Sequence, residues 1–197
     1  MNKLKDFLME LGSLSFEEWE MLASMGERLQ VKKAQTFLFS MQYTPHEVFL
    51  LKGTVRAYLI DETGNDKTTA FYQEGTFMST HTFRTLNGNS IANYETLEDC
   101  ELVLFKSTDL KSFFAQSPLL QQLGYTLKEQ EKRRLANKDE TLLPQANMEK
   151  YIKFQEYYSG LEHKISHKYI ASYLGMTPVS LSRLRRSIRI ADKSVIN

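Results

Sequence analysis

Apolar residues recur at helical spacing between residues 3 and 29, which predicts helix there. Ser15 and Glu18 form a capping box, with Leu14 and Trp19 placed for a hydrophobic staple across it. From about Val31 the period falls to two. Thr36–Phe39 is a β run. Glu47–Ile60 is a longer one broken at Gly53, beyond which Val55, Ala57 and Leu59 alternate with Arg56, Tyr58 and Ile60. Asp61-Glu62-Thr63-Gly64-Asn65 is a hairpin turn, and Lys67–Tyr72 returns as strand. Gly75–Met78 predicts a short strand, Asn87-Gly88-Asn89 a second turn, and Ile91–Thr96 and Cys100–Lys106 two further strands. Short strands at this spacing predict a sandwich or barrel.

The helical period then resumes. Ser107–Phe114 predicts a short helix capped near Ser107 or Thr108. Ser117-Pro118 opens a long one that runs to about Thr141. Leu119, Leu120, Leu123 and Leu127 give its first half an apolar stripe, and its second half is strongly charged. Such a helix packs on its own sheet or against a second copy of itself, and the stripe alone does not choose. Leu143-Pro144 marks a hinge. Residues 145–159 predict another helix, with Met148, Tyr151 and Ile152 among its apolar positions. No internal repeat or low-complexity segment interrupts this order.

The stretch Ile165–Arg186, ISHKYIASYLGMTPVSLSRLRR, ties the chain most closely to a task. Ile170 and Leu174 share a helix face, and the small Ala171 beside them lets a second helix cross closely. Ser166 is placed as N-cap, and Gly175 ends the helix where a left-handed backbone is needed. Met176 plugs the corner. Thr177-Pro178 opens the next helix, with Thr as N-cap and Pro where no amide bond is lost. Leu181, Leu184 and Ile188 point inward. Val179, Ser180, Ser182, Arg183 and Arg186 are left outside, as residue types that meet base edges or phosphates in a major groove. The competing explanation is an ordinary helical hairpin with a solvated basic face. Capping at both helix starts, in register with the inward Leu pair, favours DNA binding.

Charge distribution sharpens this. Residues 161–197 hold seven Lys/Arg and two acids, a balance of +5, while the other residues sum to −4. A net charge of +1 thus conceals a basic end suited to phosphate. The 197 residues allow one large or two small domains, and 42% hydrophobic with 25% charged residues is a globular composition. No apolar run approaches the ~20 residues of a membrane span, so no membrane partner is expected. The N-terminus contains acids and lacks the apolar core of a secretion signal. A single cysteine permits no intrachain disulfide and no cysteine-ligated iron–sulfur cluster, and a cytoplasmic location is the default.

Catalytic signatures are missing: the sequence has no P-loop, no Gly-x-Ser-x-Gly and no spaced acid/base constellation. The chain is not expected to be an enzyme. His163 and His167 are four apart, but a helix starting at Ser166 separates their faces, so no metal or cofactor is expected. His46 and His81 have no ligand-like neighbours. Cys100, in a strand, is expected as a buried apolar residue rather than a redox sensor. Phe71, Tyr72, Phe77 and Tyr94 are core candidates that could also line a small-molecule pocket.

Helix, compact β domain, long helix and C-terminal helix-turn-helix, in that order, resemble the Crp/Fnr family of bacterial transcription regulators. The resemblance is most specific at Lys168–Arg186 and supportive at Glu47–Tyr58, EVFLLKGTVRAY. It implies an α+β chain: an N-terminal jelly roll (a double-stranded β-helix) of cyclic-nucleotide-binding type over residues 1–115, a dimerisation helix over 116–142, and a C-terminal winged helix-turn-helix over 143–197. It further implies a homodimer on palindromic double-stranded DNA, with RNA polymerase as a partner. Arg183 matches the family's recognition-helix arginine, flanked by Ser180 and Ser182. The full expected DNA-binding set is Lys168, Thr177, Pro178, Val179, Ser180, Ser182, Arg183, Arg185 and Arg186, with Lys168, Arg185 and Arg186 on phosphates. Pro178 and Val179 replace the charged pair that opens this helix in the best-known branch, so that branch's DNA preference does not carry over.

The sensor departs further. Cyclic-AMP binders of the family carry a Gly-Glu and, shortly after, an Arg; here those sites fall near Ser79-Thr80 and Ser90. A buried phosphate would lack its cation. Phe77, Thr80, Arg84, Ser90 and Tyr94 are the residues expected around any effector pocket, for an effector other than cyclic AMP or none. Rival expectations are a cupin-like β-barrel enzyme, which would need a His/Glu metal cluster, and a signalling adaptor that does not bind DNA.

Overall fold

The computed structural model describes residues 1–12, 14–78, 87–144 and 146–195, with the backbone alone described at 189 and 191–195. Two compact units are present: Met1–Leu59 with Phe71–Arg133, and Ile60–Ala70 with Arg134–Asn197.

Two helices open the chain, α1 (Asn2–Leu11) and α2 (Phe16–Met25). The capping box forms as expected: Ser15 Oγ accepts from Glu18 N–H at 3.1 Å, and a Glu18 carboxylate oxygen accepts from Ser15 N–H at 2.8 Å. The helix expected up to residue 29 ends at Met25, because Gly26 is extended and β1 (Glu27–Val31) begins at once. A Cβ at Gly26 would stand 2.6 Å from Val103, so the chain turns there by lying tightly on the sheet.

Seven further strands follow: β2 (Thr36–Leu38), β3 (His46–Lys52), β4 (Thr54–Ile60), β5 (Asp66–Gln73), β6 (Thr76–Met78), β7 (Asn93–Thr96) and β8 (Cys100–Lys106). They form two four-stranded sheets with orders β1-β8-β3-β6 and β2-β7-β4-β5, the jelly-roll order. In β3, Phe49 and Leu51 face the helices together with Val103 and Phe105 of β8, while Val48 and Leu50 are buried on the other face.

The helical layer is completed by α3 (Ser107–Phe114) and the start of α4 (Pro118–Leu142). Leu120, Leu123 and Leu127 bury into the core of the N-terminal unit with Leu4, Leu8 and Leu110. The apolar stripe of α4 is therefore spent within its own unit. Leu119, expected in that stripe, is exposed, as is Tyr125. The side-chain cap expected at Ser107 or Thr108 is not made. Lys106 occupies the N-cap position, and Ser107 Oγ instead donates to Glu47 at 3.0 Å.

The C-terminal unit contains α5 (Asn147–Tyr157), a 3-10 turn (Leu161–His163), α6 (His167–Leu174) and α7 (Pro178–Val195). Its core is aromatic: Phe154, Tyr158 and Tyr173 contact one another at ring centroid distances of 5.3–5.8 Å. Ile170, Ala171, Leu174 and Leu181 are fully buried around them. Ile152, one of the apolar positions of α5, is exposed. The expected wing is not found: α7 runs on to Val195, and no strand lies beyond Lys106 among the described residues. None of the helices is long and apolar enough to cross a membrane, among the described residues.

Candidate nucleic-acid interface and ligand cavity

The turn between α6 and α7 is built by three residues. Gly175 adopts φ 69°, ψ 31°, the left-handed conformation that releases the chain from α6. Met176 N–H then closes back on Ala171 O at 3.0 Å. Thr177 Oγ1 accepts from Ser180 N–H at 3.1 Å and lies 2.8 Å from Ser180 Oγ, which caps α7. Ser166 stands at the N-cap position of α6, but its hydroxyl makes no capping bond.

This geometry fixes which side of α7 is free. Leu181 is fully buried, and Leu184 and Ile188 are half-buried. Thr177, Pro178, Val179, Ser182, Arg183 and Arg186 are exposed, with Val179 at 58%; Ser180 is half-buried. Lys168 is exposed on α6, with Nζ 4.6 Å from the centroid of the Tyr169 ring.

Arg185 is the exception in the expected phosphate set. Its side chain is only 15% exposed and turns into the unit. Nε donates to Tyr151 Oη at 3.1 Å and lies 3.6 Å from Glu162 Oε2. One terminal nitrogen stands 2.7 Å and 2.9 Å from the two ring nitrogens of His167. Tyr151 donates to Glu162, and Gln155 Nε2 donates to Glu162 Oε1 at 3.1 Å. Burial would raise the Glu162 carboxyl, but the Tyr151 and Gln155 hydrogen bonds and the Arg185 charge outweigh it and hold the pKa low. Burial, then the bond to Glu162, pushes Tyr151 up to about 12. The chemistry here is a clamp: a guanidinium tying α7 to α5 and to the turn before α6. From sequence, Arg185 looks like its neighbours. Only the helical phase relative to Leu181 and Leu184 distinguishes it.

Among the described members of the expected effector set, Phe77 is set apart from Tyr94. Thr80 and Arg84 lie outside the described residues, as do Ser79 and His81. Ser90 is buried, and its Oγ donates to Ala92 O at 2.7 Å. Tyr94 is buried on the β2-β7-β4-β5 sheet beside Tyr72, with ring centroids 6.0 Å apart. Phe77 belongs to the other sheet, stacked on Phe105 at 6.2 Å and 19°. It faces the helices, where a cavity of about 570 Å³ opens beneath α3 and α4 without Tyr94 in its wall. Glu47, Leu110, Phe114 and Leu127 share that wall. No periodicity announces such a site, because it arises from how two helices splay over a sheet.

One ion pair also escapes sequence reasoning. Arg56 Nε stands 2.6 Å from Glu95 Oε2 on the paired strands β4 and β7, both side chains being nearly buried. The Arg56 guanidinium lies 4.4 Å from the Tyr58 ring centroid. Cys100 is buried and its thiol is pushed up to about 11, chiefly by burial. Among the described residues no group of three or more His, Cys, Asp or Glu is placed to hold a metal ion.

Comparison with known proteins rests on structure alone. No protein-family model matches the chain, and no curated protein matches its sequence. Solved structures match along most of its length. FixK2 from Bradyrhizobium japonicum aligns with TM-score 0.71 at 15% identity, covering 85% of this chain and 86% of FixK2. The CLP regulator of Xanthomonas campestris aligns with TM-score 0.70 at 12% identity, covering 90% and 93%. CLP is described as responsive to c-di-GMP. A Eubacterium rectale protein described as a transcriptional regulator of the Crp/Fnr family aligns with TM-score 0.67 at 15% identity, covering 90% and 85%. The fold is Crp/Fnr-like. It is the cyclic-nucleotide-binding-like fold of those regulators, with two antiparallel sheets and seven α-helices among the described residues.

Proposed function

We propose that the chain is a bacterial, cytoplasmic transcriptional regulator of the Crp/Fnr family that binds palindromic double-stranded DNA as a homodimer and works with RNA polymerase. The carrying observation is the pair α6–α7 joined at Gly175 and capped at the start of α7, in which Leu181 is buried while Ser182, Arg183 and Arg186 stand exposed on one helix. A helix presented this way enters a major groove with its N-terminal half. The fold shared with FixK2 and CLP supports the same reading. Thr177, Pro178, Val179, Ser180, Ser182 and Arg183 are assigned to base edges or adjacent phosphates, and Lys168 and Arg186 to phosphates. Arg185 is reassigned to the clamp. The domain plan is a sensor over residues 1–115, a dimerisation helix over 116–142 and the DNA-binding part over 143–197.

Cyclic AMP is not the effector in this proposal. The position expected to hold the phosphate arginine is Ser90, whose hydroxyl is committed to Ala92 O. The buried Arg56 has Glu95 against it. Micromolar binding of cyclic AMP in a calorimetric titration overturns this part.

Selection of duplexes from a random pool tests the main proposal. The expected product is a palindrome with half-site centres about one helical turn, roughly 34 Å, apart. Arg183→Ala is expected to weaken binding to it by about 1–3 kcal/mol and to relax one base position. A pool that never enriches overturns the proposal.

A further inference from the structure

We propose that the cavity beneath α3 and α4 is a binding site for a medium-chain carboxylic acid, held with its apolar body inside and its carboxylate at the mouth with Lys111 and Lys128. The site lies wholly in the N-terminal unit, on the helix-bearing face of the β1-β8-β3-β6 sheet, and the proposal does not depend on DNA binding.

The volume, about 570 Å³, falls within the roughly 300–1,000 Å³ of small-molecule sites. Phe77, Leu110, Phe114 and Leu127 make its wall mostly apolar, with Glu47, Ser107, Gln121 and Tyr125 as its polar part besides the two lysines. The wall is also held open by packing made elsewhere. Phe77 is fixed against the sheet by Phe105 at 6.2 Å and Phe49 at 6.1 Å. Phe114 rests on Gly124, where a Cβ would meet its ring at 3.0 Å, and its edge meets Phe113 at 5.5 Å. Neither ring can fold into the space without leaving these contacts. An apolar cavity whose walls cannot close keeps its affinity for an apolar guest.

Charge sets the orientation and the head group. At the floor, Glu47 is 3% exposed and accepts from Ser107 Oγ at 3.0 Å. A carboxylate brought beside it would place two like charges in a low-dielectric site. Lys111 on α3 and Lys128 on α4 both line the cavity and both are exposed, so the cationic groups stand at the solvent side. An anionic head therefore stays at the mouth, and the chain enters. A cationic amphiphile is disfavoured in turn, since its head would pass two lysines and shed its water to reach Glu47.

Calorimetric titration of the full chain tests this with three probes: sodium decanoate and decylammonium chloride below their micellar concentrations, and decan-1-ol below its solubility limit. Decanoate is expected to bind saturably at one site per chain, more tightly than decanol, with decylammonium weakest. The double variant Lys111→Ala/Lys128→Ala is expected to weaken decanoate about fivefold or more and to leave decanol unchanged. Ala115→Trp, at an exposed position on the rim, is expected to abolish binding of both with the circular dichroism of the fold retained. The proposal is overturned if decanoate gives no saturable heat, or if decylammonium binds more tightly. It is equally overturned if the lysine variant binds decanoate normally, or if the folded Ala115→Trp variant does.

Discussion

Gly53 is the residue on which the β3–β4 corner depends. Its φ is +104°, and a Cβ there would stand 2.5 Å from Cys100 Sγ and 3.0 Å from Asp99 O. Both the backbone conformation and the space demand glycine. Gly53→Ala is expected to lower stability by about 2 kcal/mol or more, combining positive-φ strain with overpacking. Urea unfolding of the purified variant measures it, and a loss under 0.5 kcal/mol contradicts the account (~0.5 being the usual effect of a neutral surface change). Two neighbouring arginines of α7 give the opposite contrast. Arg183 is exposed, so its removal should leave the urea midpoint in place and act only on DNA. Arg185→Ala instead leaves Glu162, whose side chain is 14% exposed, without its guanidinium and with only the Tyr151 and Gln155 hydrogen bonds. It should cost about 2 kcal/mol of stability, less than the ~3–5 kcal/mol of a fully buried broken pair.

At the scale of elements, α5, the turn before α6 and α7 are joined by one polar cluster, and its protonation should be visible in the pH dependence of unfolding. The folded pKa of Glu162 is depressed below its reference of 4.5. Its contribution is therefore present above pH 4.5 and is lost as pH falls below that value through the folded pKa. Tyr151 acts at the other limb. Its pKa is raised from 10.0 to about 12, so stability is lost as pH rises through that interval. Glu162→Gln should flatten the acid limb and Tyr151→Phe the alkaline limb, read from urea midpoints against pH. An unchanged slope in either variant removes that residue from the cluster. Thr177→Ala, which deletes the α7 cap, should cost about 1 kcal/mol in the same assay. The cap was legible in the sequence because Thr-Pro before an apolar-periodic run has a local physical meaning. So were the strands from β2 onward, the capping box at Ser15 and the break at Gly53, whereas β1 was hidden inside the helix expected up to residue 29. The clamp and the cavity were not. Arg185 and Arg186 are adjacent and chemically identical, and only packing sends one inward. Phe77 and Tyr94 are both strand aromatics, and only the sheet order separates them. The wing belonged to the family resemblance alone, and no strand lies in 143–195 among the described residues.

At the scale of the whole molecule, the basic end and the proposed pairing of two copies meet in one measurable quantity. Residues 161–197 carry +5 against −4 elsewhere, so association with DNA should be driven by phosphate neutralisation and should weaken with salt. Lys168, Arg183 and Arg186 are exposed on the helix-turn-helix. If Lys168 and Arg186 reach phosphates in each of two copies while Arg183 reads a base edge, log affinity should fall against log salt with a slope of about −4, taking roughly 0.9 per phosphate on duplex DNA. Lys168→Ala then separates dimer from monomer. It removes one contact per copy, so the slope should shrink by about 2 units for a bound dimer and by about 1 for a bound monomer. Fluorescence anisotropy of a labelled selected duplex across a KCl series measures both slopes. A change near 2 supports two equivalent copies on the site. A change near 1 contradicts the homodimer while leaving phosphate contact intact. No change removes Lys168 from the interface.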